Sequence, residues 1–441
     1  MSKVRTVRAL AVATVLSLSI AACGSSDDSG GSTTGGAGGS ADGGGAKLDL
    51  KVGALLPLTG ESSQWGPPWK KATDLAGEQI AAAIRAAGAD HSIEILAQDS
   101  QQLPQDALQA ARQAVSQGAT CLSGPSASSS AIPVANSLAL RDGVLQITTA
   151  TSDEITGLDD PDGLVNRTDP PDSFQGPTLA NVIEQGLGAA DGKTVNIGAR
   201  NDAYGTGLAD TFAAAWEAKG GTVGERVIYD PKQPSYDSEA QRIVSGSPDA
   251  FVIIDFPETY SKVGPALVRT GRFDAAKAFT TDGLYSGSLA DDAGEEAVEG
   301  MRGTTPGAPA GSSAATGFRE LFERSAPADV ALEAFSAQVF DNAVLCYLAA
   351  VAAGSTDGRD MAAKVRDVSR APGAKFTWQQ LPEAIAALQR GEEIDYEGAS
   401  GEIEMDDAGD ATAGVYDVFE FKGGRLELDE QVPVARRVGD A

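Results

Sequence analysis

From residue 48 onward the chain alternates two hydrophobic rhythms. Residues 48–58 (LDLKVGALLPL) form an apolar run closed by Pro57, the mark of a strand. Pro67 and Pro68 suit a helix start, and 69–87 continues with apolar residues at helical spacing. The pair of patterns then repeats, predicting strands at 92–98, 119–122 and 144–148 and helices at 105–117 and 128–141. After a polar stretch it resumes, with strands at 194–198, 222–228, 250–254 and 278–281. The helices of this second run are predicted at 173–185, 207–219, 238–245 and 260–270. Strand–helix–strand order implies parallel sheets with helices on both faces, so two such runs predict two doubly wound α/β lobes. The last third differs. It reads as helices at 314–324, 331–353 and 378–389, then as strands over 400–428 with turns at 406–409 (DDAG) and 422–424 (KGG).

The first 47 residues carry neither rhythm. Lys3, Arg5 and Arg8 form a basic start, and 9–22 is uncharged and mostly apolar. That run is shorter than the ~20 residues a spanning helix needs, and it fits a secretory signal peptide over 1–22. It ends in Ile20-Ala21-Ala22-Cys23, which resembles the lipobox of bacterial lipoproteins. The resemblance implies a diacylglycerol on Cys23, and two acyl chains suffice for stable anchoring where one does not. Residues 23–47 are Gly-, Ser- and Asp-rich and read as a flexible linker with a reach of about 25 Å. A tethered protein on the extracytoplasmic face of the cell membrane is expected.

Charge and composition narrow the chemistry. Asp and Glu number 62 against 34 Lys and Arg, a net charge of −28, which argues against nucleic acid as a partner. A length of 441 residues suggests two or three domains. The one histidine, His91, lies in the polar run 88–92 and reads as a solvated loop residue, leaving no His-based triad or metal site. No G-x-S-x-G surrounds Ser128, Ser129 and Ser130, so the chain does not read as an enzyme. Asp406, Asp407 and Asp410 lack the ligand count of a calcium loop and read as a turn. No metal and no cofactor is implied. Cys121 and Cys346 sit in apolar segments of an oxidising compartment. A bridge is open to them, but their setting favours two buried thiols.

Several motifs together resemble one family. Residues 52–60 (VGALLPLTG), followed by Gln64-Trp65-Gly66, resemble the first strand and loop of the leucine/isoleucine/valine-binding proteins. These are type I periplasmic binding proteins of ABC importers. Residues 124–130 (GPSASSS) and 146–156 (QITTATSDEIT) resemble their two ligand-facing loops, and 166–178 (NRTDPPDSFQGPT) the crossing into the second lobe. Residues 202–207 (DAYGTG) and 280–284 (TTDGL) resemble second-lobe ligand loops, and 396–421 the C-terminal strands. The likeness keeps its order from about residue 48 to about residue 430.

The resemblance implies two doubly wound parallel-sheet lobes joined by a three-crossover hinge. Lobe one would be 48–170 with 306–412, and lobe two 171–305 with 413–441. It implies a monomer that closes on a small amino-acid-like solute and passes it to ABC permease subunits. Ser128, with Ser129 beside it, would take the solute carboxylate. Thr149, Ala150 and Thr151 would add backbone and hydroxyl groups. Asp282 would face the ammonium, and Trp65, Tyr204 and Phe256 would wall the site. Asp282 discriminates between solutes, because an amide, a urea-like compound or an aromatic acid gains nothing from a carboxylate there. A surface-anchored sensor without transport fits the same residues.

Overall fold

The structure, a computed structural model, describes residues 46–60 and 62–436. The signal peptide, Cys23 and all but the last two linker residues lie outside the described residues.

Five strands open the chain: β1 (Leu48–Leu56), β2 (His91–Asp99), β3 (Cys121–Ser123), β4 (Leu145–Thr148) and β5 (Val165–Arg167). They form one wholly parallel sheet in the order β2-β1-β3-β4-β5. The last five residues of β1 are all buried, as a strand covered on both faces must be. The second run supplies β6 (Thr194–Arg200), β7 (Thr222–Tyr229), β8 (Ala250–Ile254), β9 (Ala278–Thr280) and β10 (Arg302–Gly307). Then come β11 (Ala374–Thr377), β12 (Ile394–Gly398), β13 (Gly401–Glu402), β14 (Ala413–Lys422) and β15 (Arg425–Ala435).

The second large sheet runs β15-β14-β10-β9-β8-β6-β7 and is mixed rather than purely parallel. β14 and β15 are a hairpin turned at Gly423 and Gly424, both at positive φ, so their pairing is necessarily antiparallel. β14 also pairs antiparallel with β10. β10 ends at Gly307, two residues past the expected lobe boundary at 305. β11, β12 and β13 make a small third sheet.

The chain passes between the large sheets three times. It leaves the first after β5, and after β10 it returns to cover it with the helix Ser336–Ala353, which packs on β1, β3 and β4. It crosses again to enter β14. That helix is apolar and long enough to span a membrane, but 83% of it is buried inside the fold, so it is a core helix. Its start differs from expectation. Phe335 takes a left-handed backbone (φ 62), and the helix begins only at Ser336, leaving 331–335 as a loop. The predicted helix over 128–141 is also interrupted. It runs Ser128–Val134, then as a π-turn over Ala135–Ala139, downstream of Pro133, which has no N–H to give.

Two expectations are corrected. Cys121 and Cys346 form a disulfide, with Cα atoms 6.0 Å apart. The core helix lies directly on β3 and brings the two sulfurs together, so the apolar setting that suggested thiols shields a bond instead. His91 is not a solvated loop residue. It begins β2, is half-buried, and its Nδ1 lies 2.8 Å from the Tyr347 hydroxyl.

The acidic triplet near the third crossing is structural. Asp406 Oδ1 accepts from the N–H groups of Ala408 (2.9 Å) and Asp410 (3.1 Å) and so shapes the turn. Asp410 accepts from Arg167 Nε at 2.7 Å, with both side chains fully buried. This pair ties the end of β5 to the segment entering β14. Breaking such a pair from one side costs about 3–5 kcal/mol.

Candidate ligand-binding cleft

The ends of β1, β3, β4, β6, β8 and β9 converge on one cavity. Its wall comprises Trp65 and Trp69 after β1, Gln102 after β2, and Ser126, Ala127 and Ser128 after β3. Thr149 and Thr151 follow β4, Tyr204 follows β6, Phe256 follows β8, Asp282 follows β9, and Phe335 precedes the core helix. Ligands of doubly wound sheets bind at these carboxyl ends, where loops leave backbone groups free and sequence can vary. The cavity is tight, with about 20 Å³ open to the centres of water molecules.

Aromatic rings build most of the wall. Trp65 stacks on Trp69 at 5.4 Å, and Tyr204 on Phe256 at 5.0 Å. Trp65 meets Phe256 edge-on at 6.0 Å, so rings carried by the two large sheets touch across the cavity. Phe335 sets its edge to Trp69 at 6.1 Å. The Arg200 guanidinium lies 4.0 Å over Phe256, which orients that ring from behind.

One end of the cavity is acidic. The Tyr204 hydroxyl lies 3.1 Å from Asp282 Oδ1 and 2.7 Å from Thr281 Oγ1, and it accepts from the Gly283 N–H at 3.0 Å. Gly283 permits this packing. A Cβ there would sit 2.4 Å from the Asp255 carbonyl and 2.7 Å from the Tyr204 hydroxyl. Burial pushes the Asp282 carboxyl up to about 6, and Gln175 and Tyr204 pull it partly back. Two more carboxyls stand behind it. Burial drives Asp169 and Asp172 well above the usual range, and the Asp282 charge adds to both. Gln338 beside Asp169 and Thr151 beside Asp172 relieve this only in part, since none of the four oxygens has a partner at hydrogen-bond geometry. Burial thus holds Asp169 and Asp172 toward their neutral forms, and Asp282 is the carboxyl of the three that lines the cavity.

Hydroxyls and N–H groups from the other sheet face this end. Ser128 is not a helix cap. The cap position is Ala127, without a side-chain bond, and Ser128 Oγ instead accepts from the Ser152 N–H at 3.2 Å. The Thr149 hydroxyl and the Trp65 indole N–H are buried without partners. Gln102 fixes the loop by accepting the Ala127 N–H at 2.8 Å.

Seven of the nine residues expected at the site meet here: Trp65, Ser128, Thr149, Thr151, Tyr204, Phe256 and Asp282. Ser129 and Ala150 are not on the wall. The backbone of Ala150 is already committed, its N–H to Thr148 Oγ1 at 3.1 Å and its carbonyl to Arg167 Nη1 at 3.3 Å. Sequence reasoning missed Trp69, Gln102, Ser126, Ala127 and Phe335. Trp69 carried a usable signal, four residues after Trp65 and so one helical turn away. Phe335 carried none, because its place depends on a break in an apolar run.

An α/β fold whose two large sheets both aim strand ends at one enclosed, polar-ended pocket defines a small-molecule binding protein. A family model described as periplasmic binding protein matches residues 49–424. The chain belongs to that family, among the leucine/isoleucine/valine-binding proteins. Leu/Ile/Val-binding protein homolog 3 of Brucella melitensis is 27% identical over 86% of this chain and 94% of its own. The chemotactic signal transduction system substrate-binding protein BasB of Halobacterium salinarum is 26% identical over 58% of this chain, which spans only 59% of that relative. In fold, the leucine-binding protein LivK of Thermotoga maritima superposes with a TM-score of 0.71 at 24% identity, covering 87% of this chain and 98% of LivK. An ABC-transporter solute-binding protein from R. palustris, solved with 4-hydroxybenzoate, gives 0.67 at 18% identity, covering 88% and 97%.

Proposed function

We propose that this chain captures an apolar α-amino acid between its two lobes and delivers it to an ABC permease. The observation that carries this reading is that a carboxyl and a set of hydroxyls line one cavity from different sheets. Asp282, ionised above about pH 6, stands at one end, and Ser128, Thr149 and Thr151 stand on the other sheet. A zwitterion laid between them satisfies the buried Thr149 hydroxyl with its carboxylate and the buried Asp282 charge with its ammonium. Each contact is charge-assisted and desolvated, hence strong and directional. The aromatic rings suit an apolar side chain at little entropic cost. Because the two halves of the zwitterion are held from different sheets, the solute favours the closed form. Nothing in this arrangement positions a nucleophile and base, and the reading is of binding without catalysis.

The five-ring wall also supports a second reading, an aromatic acid, as in the R. palustris relative of the same fold. Asp282 counts against it, since a carboxylate solute would meet a buried like charge. Lipid attachment at Cys23 places the capture outside the cell membrane. Cys23→Ala is expected to release the protein from the detergent phase, and retention there would refute the anchor. A thermal-shift screen against the twenty amino acids and a set of aromatic acids tests the solute class. A ligand at 100 times its Kd stabilises by about 2.7 kcal/mol. A shift with amino acids supports the first reading, and a shift with benzoates alone replaces it.

A further inference from the structure

Beside the cleft lies a second and larger cavity of about 140 Å³. Phe335 borders both. The walls of this cavity come from β10 and β14 on one side and from the helix Ser313–Ser325, the loop before Phe335 and the first turn of Ser336–Ala353 on the other.

Its lining carries both donors and acceptors. Ser336, Ala337 and Gln338, the first three residues of an 18-residue helix, line it. The cap residue Phe335 offers no side-chain bond to that helix end; the Ser336 N–H donates to the Glu333 carbonyl at 3.2 Å, which leaves the Ala337 and Gln338 N–H groups and the helix dipole to favour an anion. The hydroxyls of Ser336 (1% exposed) and Thr305 (3% exposed) are buried without partners. Arg319 adds a cation, near enough to Asp417 to hold that carboxyl partly down. The acceptors are Glu333 and Asp417, the latter directly opposite Thr305 on the neighbouring strand. Burial raises both carboxyls, Glu333 to about 7, with partial relief from the Gly287 N–H. Asp417 Oδ1 also accepts from Gln431 Nε2 at 2.6 Å.

We propose that this cavity is a second binding site, distinct from the cleft, for a small zwitterion of the amino-acid class. Its carboxylate lies against the first turn of Ser336–Ala353 with Ser336, Thr305 and Arg319, and its ammonium lies toward Glu333 and Asp417. A carboxylate alone would leave Glu333 and Asp417 without a cationic guest, and an amine alone would leave the two hydroxyls and the helix end unsatisfied. The site takes one wall from the second sheet and the other from helices that cover the first, so a guest there links the same two bodies that the cleft links. The inference stands without the cleft reading.

Amide NMR of the full chain, deuterated and ¹⁵N-labelled, reads the two sites separately. The probes are L-alanine, propionate and ethylamine. L-alanine is expected to shift the amides of Ser336, Ala337 and Gln338 saturably, with propionate and ethylamine at least about tenfold weaker. Arg319→Gln and Ser336→Ala are each expected to weaken this titration about fivefold or more. Asp282→Asn is expected to leave it unchanged while abolishing shifts at Thr149 and Thr151. Unmoved Ser336–Gln338 amides would overturn the proposal even if cleft amides respond. So would shifts that vanish with Asp282→Asn, which would mark them as transmitted through Phe335, or shifts untouched by Arg319→Gln.

Discussion

Asp282→Asn is the perturbation that acts most directly on the cleft. The side chain is 4% exposed and its oxygen lies 3.1 Å from the Tyr204 hydroxyl. Asparagine keeps the shape and one acceptor for Tyr204, so folding is expected to survive. What changes is charge. At pH 7.5 the native carboxyl, at about 6, is almost wholly ionised, while burial pushes its neighbours Asp169 and Asp172 up, toward the neutral form. A solute ammonium entering the mutant would therefore meet a wall that has lost its one lining carboxylate. Removing one member of a desolvated charge pair costs about 2–5 kcal/mol, much of it from the charge left unpaired. At 1.4 kcal/mol per decade, the Kd for an amino acid rises roughly 30-fold to several thousand-fold. Calorimetric titration at pH 7.5 measures this, and the melting temperature of the empty variant controls for folding. That temperature is expected to hold or rise, since a buried charge has been deleted. A Kd within about threefold of the native value would refute the reasoning and leave Asp282 a turn residue.

Thr149→Val removes a buried hydroxyl that has no partner, so the empty protein is expected to gain up to ~1 kcal/mol in urea unfolding while amino-acid affinity falls about tenfold. Losses in both would assign the hydroxyl a structural bond. Amino-acid affinity is expected to fall as pH drops below about 6, by up to tenfold per unit, because the ammonium needs Asp282 ionised and protonation competes with it. A flat profile from pH 5 to 8 would assign the ammonium elsewhere. The double variant Cys121→Ala/Cys346→Ala is expected to lose about 2–5 kcal/mol of stability with cleft affinity unchanged, since neither cysteine lines the cavity. An unchanged urea midpoint would contradict that.

Much of the fold was legible because its strands are covered on both faces. β1, β3, β4, β6 and β8 announce themselves as short apolar runs, and the intervening helices by spacing. β10 was not legible. Its sequence, RGTTPG, has no large apolar side chain, and it exists because β9 and β14 pair with it on either side. β5 is three residues long, with Asn166 and Arg167 buried, and depends on pairing with β4. The helix Gly358–Val368 was readable, with Met361, Ala362, Val365 and Val368 on one face, and went unread. The disulfide turned on a contact between segments 225 residues apart. The only hint was that two cysteines remain once Cys23 is set aside. At the cleft, the residues found were those in the motifs that resemble the family's ligand loops, Tyr204 among them although it lies in a helix. Trp69 and Phe335 were missed because one lies in a helix outside those motifs and the other at a helix start that apolar periodicity hides.

The central claim is that the cleft reads both ends of a zwitterion. Calorimetric titration of the full chain with three matched compounds tests it: L-leucine, isopentylamine, which lacks the carboxylate, and 4-methylvalerate, which lacks the ammonium. With Asp282 on one sheet and Ser128, Thr149 and Thr151 on the other, L-leucine is expected to bind at least about a hundredfold more tightly than either truncated form. If 4-methylvalerate matched or exceeded L-leucine, Asp282 would not be facing an ammonium, and the cleft would belong to an organic acid instead.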